Sequence, residues 1–399
     1  MSREAVRERR GITVLGSTGS IGVNTLDLVS RHPDAFEVIA LTANQNVTLL
    51  AEQAKTFGAK LAVTADPNAF HELSDLLAGT GIAVAAGPDT VVEAAAREDA
   101  EVVMAAIVGA AGLAPTLAAV RRGATVALAN KEALVCAGDL MMAEVTKAGA
   151  TLIPVDSEHN AIFQVFDFDR ADQVERIILT ASGGPFRTRS LQEMARMTAR
   201  EAIAHPNWDM GAKISVDSAT MMNKGLELIE AYHLFPVAES QIDILVHPQS
   251  VIHSMVAYVD GSVLAQLGSP DMRTPIACAL RWPERLAAPS QRLDFAALRT
   301  LTFEDPDEIR FPALALARHA LQSGGGVPTI LNAANEVAVR RFLNGEIGFL
   351  DIARVVEQTL TATPPGSLVS IEDVHQLDAE ARRNAAWQAD RLAASPVAV

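Results

Sequence analysis

Cysteine is nearly absent from this sequence: Cys136 and Cys278 are the two in 399 residues. They lie far apart in apolar surroundings, which excludes a disulfide framework and points to reduced core residues. Cations are outnumbered, with 33 Lys and Arg against 48 Asp and Glu, a net charge of −15. That balance argues against nonspecific binding to nucleic acid or to an anionic membrane. It also requires that any anionic substrate be received by a local cluster of donors. Met1 to Arg10 mixes four Arg with two Glu and has no apolar core segment, so a secretory signal is not expected and the cytoplasm is. Val102 to Val120 is uncharged over 19 residues but contains Gly109, Gly112 and Pro115. A buried parallel strand, a turn and a helix with Pro near its start explain it better than a membrane span. Internal repeats and long low-complexity tracts are missing too. What is left, 49% hydrophobic and 20% charged, is a soluble globular chain long enough for two or three domains.

The first organised feature is a β-type run, Gly11 to Leu15, entering Gly16-Ser17-Thr18-Gly19-Ser20-Ile21-Gly22. A helical pattern over 23–30 and a strand over 36–42 complete a βαβ unit. Glycines in such a turn let backbone N–H groups approach a pyrophosphate at a helix N-terminus. After the second strand stand Asn44, Gln45 and Asn46, with no acid for the ribose hydroxyls, which leans towards NADP. Strands near 60–63, 82–85, 102–107, 124–128 and 151–155 alternate with helical patterns. That alternation predicts an N-terminal doubly wound, Rossmann-like parallel sheet. A central α+β region follows, then helical patterns over 312–322, 328–343, 348–360 and 371–394. Between them, 282–311 is punctuated by three prolines and is expected to be a linker.

Polar clusters sit where such sheets bind ligands. Asn130-Lys131-Glu132 follows a strand at its carboxyl end; the ordinary alternative is a helix start with an acid in its first turn. Asp156 and Glu158, two apart in Asp156-Ser157-Glu158-His159-Asn160, point the same way if the segment is extended. Paired carboxylates repel unless a cation lies between them, and oxygen donors suit Mg²⁺ or Mn²⁺; a capped helix is the plain alternative. Ser182-Gly183-Gly184 is a turn whose amides and hydroxyl could cradle a phosphate. His205 to Glu227 runs from a His-, Trp- and Asn-containing loop into a helix expected to be capped by Ser218 or Thr220. There Asn223 and Glu227 share a face with Lys224 beside them, an anion site followed one turn on by a carboxylate, or simply a surface Lys–Glu pair.

In this order the motifs resemble those of the 1-deoxy-D-xylulose 5-phosphate (DXP) reductoisomerase family. The resemblance rests on Gly16 to Gly22, Ala129-Asn130-Lys131-Glu132, Pro154 to Gln164, Ser182-Gly183-Gly184-Pro185-Phe186, His205 to Glu227, His247 to Ser254, and Leu331 to Ala338. It implies NADPH-dependent rearrangement and reduction of DXP to 2-C-methyl-D-erythritol 4-phosphate, in the non-mevalonate route to isoprenoid precursors. It also implies NADPH held by Thr18, Gly19, Ser20 and Ile21 with Asn46, Asn130, Glu132 and Gly211. One divalent cation, Mg²⁺, Mn²⁺ or Co²⁺, would be bound by Asp156, Glu158 and Glu227. Lys131, Ser157 and Glu158 would meet substrate hydroxyls, and Ser182, Ser218, Asn223 and Lys224 its phosphate. Trp208 and Met210 would close over the substrate, with Glu227 also lining it. Lys131, Glu158 and His205 would be the catalytic residues, and the assembly a homodimer. The implied division is a cofactor domain over 1–155, a catalytic and dimerising domain over 156–283, a linker over 284–311 and a small α-helical domain over 312–399. Asn44-Gln45 departs from the family pattern beside the 2′-phosphate. The competing readings are a metal-independent NAD(P)-dependent dehydrogenase of the semialdehyde or homoserine type and a non-catalytic nucleotide sensor.

Overall fold

The structure, a computed structural model, describes residues 9–205, 208 and 210–394. The chain forms two compact units, one made of residues up to Ala133, Met141–Asn160 and Asp271–Ser290, the other of Leu134–Leu140, Ala161–Pro270 and Gln291 onward. Among the described residues, no helix is long and apolar enough to cross a membrane.

The first unit is built on seven strands, β1 (Arg10–Leu15), β2 (Phe36–Ala43), β3 (Leu61–Thr64), β4 (Ala83–Ala86), β5 (Val102–Ala105), β6 (Thr125–Leu128) and β7 (Thr151–Pro154). All pair in parallel, in the order β4-β3-β2-β1-β5-β6-β7. The central strands are apolar throughout because both faces are covered: Ile12, Val14, Val102, Val103 and Met104 are fully buried. Winding reverses between β1 and β5, which opens a crevice beside the turn after β1. The run from Val102 resolves as expected into a strand, a 3₁₀ turn at Ala110–Gly112 and a helix, Leu113–Arg121. The helix Arg273–Arg281 returns late in sequence to this unit and packs on the helix Ser20–Arg31, with Arg273 reaching Asp27 at 3.2 Å.

The second unit has a mixed sheet of β8 (Val174–Ala181), β9 (Ile242–Val246), β10 (Ile252–Tyr258) and β11 (Val263–Leu267), ordered β11-β10-β8-β9. Only β8 and β9 run parallel. Its core is continuous with the C-terminal helices: Ile177, Leu179, Leu226, Ile229, Leu314, Leu331 and Val356 belong to one buried cluster. The helix Met222–Leu234 lies so close to Ala313–Ser323 that a Cβ on Gly225 would fall 2.6 Å from Ala317 Cβ.

The α/β class, the doubly wound parallel sheet and the helical C-terminal region are as the sequence predicts. Three local expectations change. Asp156 does not lie in an extended segment; it precedes the helix Ser157–Val165, and its Oδ1 accepts the Glu158 N–H at 3.3 Å. Neither Ser218 nor Thr220 caps the helix at 222, since a separate helix, Ala212–Ala219, ends there and Met221 is the N-cap residue, with φ +63°. Residues 282–311 are not a bare spacer: they carry a short helix, Phe295–Leu298, and Glu304 pairs with Val246 in an isolated bridge.

Candidate active site

In the first unit every candidate lies at the carboxyl edge of the parallel sheet. Gly16 ends β1 with φ +78°, and a Cβ there would sit 2.8 Å from the Ala106 carbonyl oxygen. A Cβ on Gly22 would lie 2.4 Å from Gly16 O. The turn therefore packs backbone on backbone, which only glycine permits at these two positions. Gly19 is the N-cap of the helix Ser20–Arg31, and no side chain satisfies its first N–H groups. Those donors, between half-buried Thr18 and Ile21 with Gly19 and Ser20 exposed, form a cradle that fits a pyrophosphate. Asn46, after β2, caps the helix Val47–Phe57 by accepting the Leu49 N–H at 3.2 Å.

After β6, Asn130 is buried; its Nδ2 donates to Gly109 O at 3.0 Å and to Ile107 O, and its Oδ1 accepts the Ala133 N–H at 3.1 Å. The next residue, Lys131, places Nζ 2.6 Å from Asp156 Oδ2 after β7. Both side chains are about nine-tenths buried, so the pair is little screened. Glu132 is buried in the first turn of the following helix. Ser157 donates to Glu158, and His159 Nδ1 lies 3.5 Å from Asp156 Oδ1. This unit thus brings a lysine and two carboxylates together, hard oxygen donors that fit Mg²⁺ or Mn²⁺.

The second unit gathers the other group. Ser182 ends β8 in a turn where Gly183 and Gly184 both have positive φ. Its Oγ accepts the Gly184 N–H at 3.1 Å and lies 2.9 Å from His205 Nε2. His205 Nδ1 accepts the Trp208 N–H at 3.0 Å, so Nε2 carries the ring proton and donates to Ser182. Burial holds His205 below the usual imidazole range, which keeps it neutral at pH 7. A Cβ on Gly184 would meet Ser218 O at 2.5 Å, so the glycine turn abuts Ser218 directly. One turn further, Asn223 and Lys224 both donate to Glu227, which is 1% exposed. A third carboxylate of this kind, its charge balanced by a lysine, is again a hard oxygen donor. Gly211 is the exposed N-cap of the helix Ala212–Ala219. Pro206, Asn207 and Asp209 lie outside the described residues.

Two buried residues beside these groups were given no role in the sequence reading. His253, on β10, is buried and 6.1 Å ring to ring from Trp208. Burial depresses it to about 4, backbone hydrogen bonds at Ser269 and Gly268 work the other way, and Lys224 and His247 add repulsion. Asp217, one residue before Ser218, is buried and accepts from Asn335 Nδ2 at 2.7 Å. A lone His in an apolar strand and an Asp inside a helix give no signal without their partners.

Comparison with known proteins decides among the readings. A family model described as 1-deoxy-D-xylulose 5-phosphate reductoisomerase matches residues 12–138, and C-terminal domain models of the same enzyme match 152–235 and 267–384. The chain belongs to the DXP reductoisomerase family. The family's enzyme from Rhodospirillum centenum is 65% identical over 94% of this chain and 93% of its own length, and that from Zymomonas mobilis 60% over 96% and 99%. A solved DXP reductoisomerase from Zymomonas mobilis, in complex with NADPH, superposes with a TM-score of 0.92 at 57% identity, covering 96% of this chain and 99% of that one. Another, in complex with NADPH, fosmidomycin and magnesium, gives 0.91 at 42% identity over 97% and 99%. The reductoisomerase expectation therefore holds, and the metal-independent dehydrogenase is not favoured.

Proposed function

We propose that this chain converts 1-deoxy-D-xylulose 5-phosphate to 2-C-methyl-D-erythritol 4-phosphate with NADPH and one divalent cation, using the residues described above. Family membership along almost the whole chain carries the reaction, and the two polar clusters carry the assignment of roles. Thr18 to Ile21, with Asn46, Asn130, Glu132 and Gly211, take NADPH. Asp156, Glu158 and Glu227 hold the cation, which when bound supplies Lewis-acid polarisation of the substrate's carbonyl and hydroxyl oxygens.

The chain's own groups supply binding and orientation. Ser182 Oγ accepts two hydrogen bonds, from Gly184 and His205, so its own hydroxyl proton is left to donate to a phosphate oxygen. Ser218, Asn223 and Lys224 complete the phosphate site. Lys131, Ser157 and Glu158 orient the substrate hydroxyls, with Lys131 and Glu158 moving protons between them. His205 and Trp208 bind substrate beside the phosphate, the histidine as a neutral ring whose one N–H is held by Ser182. Holding the phosphate away from the reacting carbons converts remote binding energy into orientation.

In functional terms, residues 1–155 serve the cofactor, 156–283 the metal, substrate and a homodimer contact, and 312–399 support them. The cytoplasm is the proposed location. The test is NADPH consumption with DXP, with and without Mg²⁺, repeated with NADH. Turnover that requires both DXP and Mg²⁺ is expected; full activity after chelation would overturn the metal assignment, and equal rates with NADH would overturn the NADP preference.

A further inference from the structure

The helix Val327–Leu343 contains a polar pair that the proposed chemistry does not use. Asn332 and Asn335 are fully buried in an otherwise apolar stretch, three residues apart on one face. Asn335 Nδ2 donates to Asp217 Oδ1 at 2.7 Å across 118 residues of sequence. A carboxylate only accepts, so the amide must present its nitrogen, and its Oδ1 has no hydrogen-bond partner among the described residues. Asn335 thus gives up an acceptor to keep that one bond. Asp217 Oδ2 lies 2.9 Å from Lys213 Nζ, an ion pair rather than an aligned hydrogen bond. A buried carboxylate in the middle of the short helix Ala212–Ala219 is therefore fixed from the C-terminal region on one side and from the helix's own first turn on the other.

Its neighbour is Ser218, whose carbonyl is the surface against which Gly184 closes, and the chain passes through the left-handed Met221 to reach Asn223 and Lys224. A strained link of this kind holds only where its flanks are fixed. We infer that Asn335 is a positioning residue: through Asp217 it sets the placement of Ser218, and with it the spacing between the Ser182 turn and the Asn223–Lys224 helix start, for the substrate's phosphate. This rests on the phosphate site proposed above.

The test compares Asn335→Leu, the exchanged pair Asp217→Asn/Asn335→Asp, and Lys224→Ala in the full-length enzyme with Mg²⁺ and NADPH. Asn335→Leu should raise KM for DXP at least tenfold while KM for NADPH stays within twofold, and the exchanged pair, which restores a carboxylate–amide bond, should recover most of that loss. A substrate KM unchanged in folded Asn335→Leu, or a lowered melting temperature as the sole effect, would overturn the inference. If Asn335→Leu does not fold, an exchanged pair that folds with the same tenfold loss of substrate affinity would overturn it, and one with near-native KM would support it. If Lys224→Ala leaves KM for DXP unchanged, the phosphate site itself is wrong; if Lys224→Ala raises it and Asn335→Leu does not, only the positioning role fails.

Discussion

Lys224 is buried at 3% exposure and donates to Glu227, a buried pair that adds little net stability of its own. Removing a charge-assisted contact to phosphate is worth roughly 1.5–3 kcal/mol, so Lys224→Ala should lower kcat/KM for DXP by about 10- to 150-fold. Steady-state kinetics at saturating NADPH and Mg²⁺ checks this, and unchanged constants would remove Lys224 from the site. His253 offers a second test at this scale. Its folded-state value of about 4 lies below the ordinary 6.5, so the fold favours the neutral ring. The stability this contributes is complete above pH 6.5 and is lost as the pH falls towards 4, on the order of 3 kcal/mol in all. Denaturant midpoints measured from pH 7 to 4 should fall in the native protein and fall less in His253→Gln. Parallel curves would show that the ring titrates normally.

At the level of elements, the glycine turn after β1 makes the sharpest demand on sequence. In Gly22→Ala the new methyl would lie 2.4 Å from Gly16 O and 2.5 Å from Ser17 Cα, both backbone atoms that can move only by opening the turn. Overpacking of this kind costs about 1–3 kcal/mol, and here it displaces the donors meant for the pyrophosphate. NADPH affinity, followed by fluorescence titration, should drop at least tenfold with the far-ultraviolet dichroism intact; tight binding would place the cofactor elsewhere. Gly225→Leu should instead force the helices Met222–Leu234 and Ala313–Ser323 apart and lower the melting temperature. The βαβ rhythm was legible because parallel strands buried on both faces read as apolar runs, and the turn because its glycines are periodic. The helix Ala212–Ala219 was not. Its buried face includes Ser215 and Asp217, so apolar periodicity fails there, and the partner that makes Asp217 tolerable lies 118 residues away. The candidate site residues were legible as motifs, whereas the bonds fixing them, Ser182 to His205 and Asn335 to Asp217, are tertiary and leave no local trace.

For the molecule as a whole, charge sets the problem. A net charge of −15 repels both an anionic sugar phosphate and an anionic dinucleotide at long range. The cations proposed to receive the sugar phosphate, Lys131 and Lys224, are buried and act only within a few ångströms. Salt screens the first effect more than the second, because exposed charges beyond a Debye length of about 10 Å at 0.1 M are largely silenced while buried pairs are not. At fixed saturating Mg²⁺, kcat/KM for DXP should therefore rise as ionic strength goes from about 0.01 to 0.1 M, and then level off. Stopped-flow measurement of NADPH consumption under subsaturating substrate reads this directly. A steep fall over the same range would mean that the positive groups project a field beyond the site and steer the substrate in against the net charge. Lys131→Met, which removes one such field, would then flatten the dependence.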